Sequence, residues 1–302
     1  MFKKKSFIMA FILIISMIGM TACKKNVGAP EDNAQAEENE DETNTEETQE
    51  HLIGFSVIDM ENPYFITLES AAKAELEEDG YRMITKNPET DPQLQETQIQ
   101  EMIDEGIEAI ILSPVDWEKI TPSLQALKKA GVKIINVDTQ VKEMEYVDAY
   151  IGSDNQKAGY ICGEDLITKC PDGGKIAILE CPTQNSINDR ITGFEEAIAQ
   201  AENGFEVVER MDTKGEFELA LEAAQKILEE HPDISAIMCG NDQLAVAAKA
   251  AVNVAELDNV IIYGVDGSPD IKKELKKPEN QIAGTAAQSP INMGKQASLT
   301  AV

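Results

Sequence analysis

The sequence predicts an α/β protein made of two lobes, each a doubly wound parallel sheet covered by helices on both faces. Three observations lead there. From residue 51 onward, short apolar runs alternate with longer segments whose apolar residues recur at helical spacing. The short runs are apolar throughout rather than alternating, as strands buried on both faces are. About ten such runs occur, too many for one comfortable doubly wound sheet, and the pattern restarts near residue 152.

The elements follow in order. Leu52–Ile58 reads as a buried strand. Pro63 to Asp79 places Phe65, Leu68, Ala71, Ala72 and Leu76 on one helical face, and Gly80 ends it. Tyr81–Thr85 (strand), Asp91–Glu105 (helix) and Ala109–Leu112 (strand) come next. A helix over Trp117–Ala130, closed by Gly131, leads to strand Lys133–Val137 and a short strand over Val147–Ile151. The restart gives helix 155–169, strand 175–180, helix 189–202, strand 205–210 and helix 216–230. Strand 235–239, helix 241–254, strand 260–264, helix 269–276 and strand 281–286 follow, and a last helix begins near Pro290. Met83 and Met102 read as core filler.

Charge narrows the function. The chain has 302 residues, with 26 Lys and Arg against 55 Asp and Glu, a net of −29. That excludes nucleic-acid docking, which needs a basic face, and a polybasic membrane-surface protein. His51 and His231 are the only histidines, so a multi-histidine metal centre is not expected, nor is any cofactor. The charge is also segmented. Residues 1–30 carry five Lys and no acid, residues 31–50 carry ten acids and no base, and residues 51–302 net −24.

Residues 1–22 read as a targeting signal. Lys3, Lys4 and Lys5 precede a fourteen-residue apolar run, Phe7 to Met20, that is short for a membrane span. The string Met20-Thr21-Ala22-Cys23 resembles a bacterial lipoprotein signal, with Met20 where Leu is usual. The resemblance implies cleavage before Cys23 and lipidation of its sulfur, leaving a mature chain near −32 on the outer face of the cytoplasmic membrane or in the periplasm. An ordinary secretion signal is the alternative. Residues 23–50 form an acidic tether without aromatics, which self-repulsion keeps extended. Cys162 and Cys239 sit in apolar company and read as core. A Cys170–Cys181 disulfide is open to an exported protein, but spacing does not decide it.

In open α/β sheets ligands bind beyond the carboxyl ends of the strands. Those ends carry Asp59 to Phe65, Ser113 to Trp117, Asp138-Thr139-Gln140, Asn185 to Arg190, Asn241-Asp242, Asp266-Gly267 and Gln288. No Ser-His-Asp set, G-x-S-x-G, H-E-x-x-H, G-x-G-x-x-G or phosphate-loop motif accompanies them, and Gly173-Gly174-Lys175 precedes a strand, so it is a turn. Carboxylates and amides accept from hydroxyls, Arg and amides donate, and aromatic rings pack on C–H faces. The set suits an uncharged, polyhydroxylated ligand.

Eight strings occur in order: Asn62-Pro63-Tyr64-Phe65, Ser113-Pro114, Val137-Asp138-Thr139, Ile151-Gly152-Ser153-Asp154-Asn155, Arg190-Ile191-Thr192-Gly193-Phe194, Gly240-Asn241-Asp242, Gly264-Val265-Asp266-Gly267 and Ala287-Gln288-Ser289-Pro290. From Leu52 to Val302 the chain thereby resembles the type I periplasmic sugar-binding proteins of ABC transporters, in the ribose/galactose-binding branch. The resemblance implies two Rossmann-like lobes joined by a hinge, with 51–152 plus 289–302 in the first and 153–288 in the second. It implies a sugar or polyol held between them, delivery to an ABC permease, a monomer, and no catalysis.

Carried over, the resemblance has Asn62 bonding a sugar hydroxyl, Tyr64 and Phe65 packing on the ring, and Asp138 accepting from a hydroxyl pair. Arg190 would donate from the second lobe, with Asn241, Asp266 and Gln288 completing a polar cage. Asn62 and Asn241 also suit helix N-caps, Arg190 could pair with an acid, Ser153 to Asn155 suit a hinge and cap, and Trp117 suits either the cleft mouth or packing. Three positions depart from the ribose pattern. Thr139 stands where an Arg is expected, Val265 where an aromatic is expected, and Thr213-Lys214-Gly215 lacks the aromatic expected after the preceding strand. The second lobe is therefore expected to be poor in aromatics, and another sugar or polyol is as well supported as ribose. Family members cross between lobes three times and end the first lobe with a longer helix and a returning strand. Crossings near Gly152 and Gln288 are present and the third is not, so the expectation is either a fragment or a first lobe that lacks its closing elements. Rival readings are a sugar-sensing lipoprotein serving a chemoreceptor or histidine kinase, a repressor-like sugar domain, and an exported enzyme. The lipoprotein signal weighs against a repressor, and no supported carboxylate pair favours glycoside hydrolysis.

Overall fold

The computed structural model describes residues 50–278 and 280–302. The signal over 1–22, Cys23 and the tether up to residue 49 lie outside the described residues. Glu50, the tether's last residue, places its carboxylate 2.6 Å from Arg82 Nε.

Two five-stranded parallel sheets form the frame. In the first, β1 (Leu52–Ser56) lies between β2 (Arg82–Lys86) and β3 (Ala109–Leu112), followed by β4 (Lys133–Val137) and β5 (Ala149–Ile151), in the order β2-β1-β3-β4-β5. The second contains β6 (Gly174–Glu180), β7 (Phe205–Asp212), β8 (Ala236–Cys239), β9 (Ile261–Asp266) and β10 (Ile282–Ala287), in the order β10-β9-β8-β6-β7. Read from its own first strand, the second sheet repeats the order of the first. Both therefore have the switch in strand order beside which doubly wound folds bind ligands.

The helices cover both faces, as buried parallel sheets require. In the first lobe α1 (Pro63–Glu78) and α9 (Pro290–Ala301) pack on one face through Leu68, Ala72, Leu76, Met293 and Ala297, all buried. On the other face lie α2 (Pro92–Asp104) and α3 (Thr121–Ala130), with Ile99, Met102, Leu124 and Leu127. In the second lobe α4 (Asn155–Lys169) and α5 (Asn185–Ile198) cover one face. The other is covered by α6 (Phe217–Glu230) and α7 (Asp242–Ala255), with α8 (Pro269–Glu274) beside them through Ile271.

Helices α4 and α5 meet backbone to backbone. A Cβ at Gly159 would lie 1.7 Å from the Arg190 carbonyl oxygen, and one at Gly193 would lie 1.8 Å from that of Gln156. Only hydrogen side chains permit that approach.

Two expectations change, and one open question closes. The helix expected from Trp117 starts at Thr121, because Asp116 Oδ1 accepts from the backbone N–H groups of Glu118 and Lys119 (3.1 Å each) and holds Trp117 in a turn. Helix α5 runs from Asn185 to Ile198 rather than 189–202, which places Arg190 in its second turn. Cys170 and Cys181 are both free thiols, so the open disulfide is absent. Cys162 and Cys239 are core residues, as expected.

Candidate ligand-binding site

The chain crosses between the sheets after β5 and after β10, and the carboxyl ends of both sheets face one cleft. Asp154 caps α4 at the first crossing, its Oδ1 accepting from Lys157 N at 2.9 Å. Within the cleft lies a cavity of about 220 Å³ lined by residues from both lobes.

Arg190 is central. Its side chain is 3 % exposed. Nε donates to Asn155 Oδ1 (2.8 Å) and Nη1 to the Gly240 carbonyl (2.9 Å), which fix the guanidinium plane. Nη2 then lies 3.8 Å from Asp138 Oδ1 in the first lobe, and Nη1 lies 3.7 Å from Asp266 Oδ1 in the second. These are ion-pair separations, too long for direct hydrogen bonds.

Both aspartates sit at strand ends with positive φ, 59° at Asp138 and 137° at Asp266. Non-glycine residues rarely adopt such angles, and strain of this kind gathers at functional sites. Asp138 Oδ1 is buried without a hydrogen-bond partner, while Oδ2 accepts from Thr139 Oγ1 at 3.3 Å. Asp266 Oδ1 accepts from Gln288 Nε2 at 2.8 Å. Burial pushes the Asp266 carboxyl up to about 7; Arg190 opposes the rise, and Asp242 and Asp138 add to it. Desolvation wins because the arginine's charge is shared among two carboxylates.

Asn62 caps α1, Oδ1 accepting from Tyr64 N at 2.9 Å, and its side chain also lines the cavity. Tyr64 and Phe65 are buried edge to face, ring centroids 5.2 Å apart. The Tyr64 hydroxyl is 3.3 Å from Met293 Sδ and 3.5 Å from Gln288 Oε1. Burial, with Asp138 and Asp266 nearby, raises it well above the ordinary tyrosine value, so it stays a donor. Asn241 caps α7 through Leu244 N (3.0 Å) and lines the same cavity.

Seven of the eight residues expected at the site, Asn62, Tyr64, Phe65, Asp138, Arg190, Asn241 and Asp266, line this cavity. Gln288 does not; it stands behind Asp266 and orients it. Trp117 is also outside the lining, but its backbone N–H donates to the Thr183 carbonyl across the cleft at 3.0 Å. The expected poverty of aromatics in the second lobe is corrected. Phe217, the first residue of α6, lines the cavity together with Gly215 and Glu216. The other departures are absorbed into packing. Val265 is fully buried, and Thr139 Oγ1 lies 2.7 Å from Ser186 Oγ, a hydroxyl pair joining the two lobes. Thr90, Glu216 and Phe217 are lining residues that neither the strand-end segments nor the eight strings single out.

Comparison with known proteins decides the family. The family described as periplasmic binding protein domain matches residues 53–302. The chain belongs to this family. Among its relatives, the ribose import binding protein of Bacillus subtilis is 27 % identical, over 95 % of this chain and 89 % of the relative. A D-ribose/D-allose-binding protein of Pseudomonas aeruginosa is 30 % identical, over 75 % of this chain and 73 % of the relative. Among solved structures, an ABC transporter solute-binding protein from Mycobacterium smegmatis with bound glycerol superposes with a TM-score of 0.78 at 30 % identity, over 83 % of this chain and 87 % of that one. The Bacillus subtilis and Mycobacterium smegmatis proteins are named as binding proteins of import or transport, and this periplasmic binding protein is likewise a binding protein, not an enzyme.

Proposed function

We propose that this periplasmic binding protein captures a sugar or polyol between its lobes and delivers it to an ABC importer, as an exported lipoprotein anchored through Cys23. The observation that carries the reading is the buried, unpartnered Oδ1 of Asp138 opposite Arg190. A buried acceptor without a donor is costly, and a ligand hydroxyl would satisfy it. Asp266 would accept a second hydroxyl, Asn62 and Asn241 would bond others through their amides, and Tyr64, Phe65 and Phe217 would pack on the ring. The relatives' printed ligands, ribose, allose and glycerol, are of this class.

Binding and closure are one equilibrium. The open form exposes both halves of the cage. A ligand touching Asp138 on one side and Arg190 on the other stabilises the closed form by its differential affinity for it. Residues 152–154 and 288–289 serve as the hinge, dividing a first lobe of 51–152 plus 289–302 from a second of 153–288. The permease then reads the closed shape.

Titration calorimetry with a panel of pentoses, hexoses, disaccharides, glycerol and inositol tests the reading. Saturable binding to the folded protein supports it, and absence of binding across the panel overturns it. The same panel in a thermal-shift format should raise the Tm only for ligands that bind the native state.

A further inference from the structure

The inner cavity does not end at the cage. Its volume, about 220 Å³, is below the roughly 300–1,000 Å³ of ordinary ligand pockets. Asn62, Tyr64, Phe217, Gln243 and Asp266 line both it and a second cavity of about 630 Å³. This outer chamber lies between the first turns of α1 and α9 on one lobe and helices α6, α7 and α8 on the other. It therefore closes and opens with the lobes.

The lining of the chamber is mostly apolar, unlike that of the cage. Ile291 and Pro290 form an apolar wall on α9, and Ile291 is 52 % exposed. Val246 faces the chamber from α7. Lys272, Gln243 and the carboxylates of Glu61, Glu218 and Asp270 add polar groups. Among the described residues, Lys273 and Lys277 are paired with Asp270 and Glu274, whereas Lys272 has no carboxylate within pairing distance. Phe217 stands where the two spaces join.

We propose that the outer chamber is a second sugar subsite, so that the ligand is a disaccharide or similar glycoside with one ring in the cage and the next beside α9. The inference rests on the sugar-binding reading above. The second ring lays its C–H face on Ile291 and Pro290, and its hydroxyls accept from Lys272 and Gln243. The linkage between the rings passes Phe217, whose aromatic face serves both.

Calorimetry on the full-length protein tests this with paired probes: glucose, galactose and xylose beside maltose, cellobiose, lactose and xylobiose. At least one disaccharide is expected to bind about tenfold or more tighter than its constituent monosaccharide. Ile291→Trp fills the chamber at an exposed position and should remove about tenfold of the disaccharide affinity while leaving the monosaccharide within about twofold. Lys272→Ala should lower disaccharide affinity in the same selective way. Monosaccharide binding with no disaccharide gain, or a gain that survives both substitutions, overturns the subsite alone. Failure of every sugar and polyol overturns the sugar reading and the subsite with it.

Discussion

The guanidinium of Arg190, on α5 of the second lobe, stands 3.8 Å from Oδ1 of Asp138, at the end of β4 in the first. Both side chains are nearly inaccessible, and the arginine is anchored on its own lobe by Asn155 and the Gly240 carbonyl. The charge that bridges the cleft is thus held rigidly from one side.

Removing that charge should cost more than a surface ion pair would. Arg190→Met leaves two buried carboxylates, Asp138 and Asp266, without their cation. Breaking a buried pair in this way destabilises by about 3–5 kcal/mol. Urea unfolding should show the loss as a lower midpoint, and an unchanged midpoint would place solvent around the carboxylates.

Asp266 should make both stability and binding depend on pH. Its carboxyl titrates near 7 in the folded protein, against about 3.9 unfolded. The stability it contributes is therefore complete below about pH 4 and is lost as pH rises through about 7. Asp266→Asn cannot ionise, so its Tm relative to the parent should climb across that window; a flat difference would show an ordinary carboxyl.

A ligand hydroxyl on Asp266 favours the ionised form and so lowers its pKa in the complex. Binding then releases a proton, and affinity rises with pH up to about 7 before levelling. Calorimetry in two buffers of different ionisation enthalpy measures that proton directly, and equal heats in both would remove Asp266 from the contact.

Thr139→Val keeps the shape and removes one member of the Thr139–Ser186 hydroxyl pair. The closed form should lose about 0.5–1.5 kcal/mol, read as weaker ligand affinity or a larger ligand-free radius in solution scattering. An effect confined to unfolding would locate the bond outside the closure equilibrium.

Gly159→Ala should disturb more than its single methyl suggests. Its Cβ would collide with the carbonyl of Arg190 itself, and overpacking at a backbone contact costs about 1–3 kcal/mol. Because the collision displaces the cleft's cation, ligand affinity should fall together with stability, whereas Gly204→Ala, where a Cβ meets nothing but φ is positive, should lower stability alone.

The alternation of elements was legible because fully buried parallel strands and amphipathic helices leave opposite hydrophobic patterns, as Ala109–Leu112 and Leu68-Ala72-Leu76 show. Helix starts were harder. Asp116 spends its carboxylate on a turn before α3, and no capping side chain marks the start of α5, although Ile187, Ile191 and Phe194 already carry its apolar face. Within the site, seven of the eight residues taken from recognisable strings line the cavity, Gln288 being the exception. Phe217 escaped because an aromatic is sought directly after the strand, while here the Gly215 turn delivers it from a helix start. The partnership of Gln288 with Asp266 depends on a contact between neighbouring strand ends, which no local pattern encodes.

The packing of α1 against α9 has a bearing on how the chain reaches its native state. Gly294 and Ser298 on α9 press against the backbone of α1 at Leu68 and Ala72, with Ser298 Oγ donating to the Ala72 carbonyl at 2.9 Å. More than two hundred residues separate the two helices along the chain. The second lobe is contiguous and can collapse as soon as it has been synthesised. The first must keep the apolar side of α1 uncovered until α9 arrives, so a segment made before the second lobe is covered only after it. A chaperone that shields nascent chains would find its binding surface there.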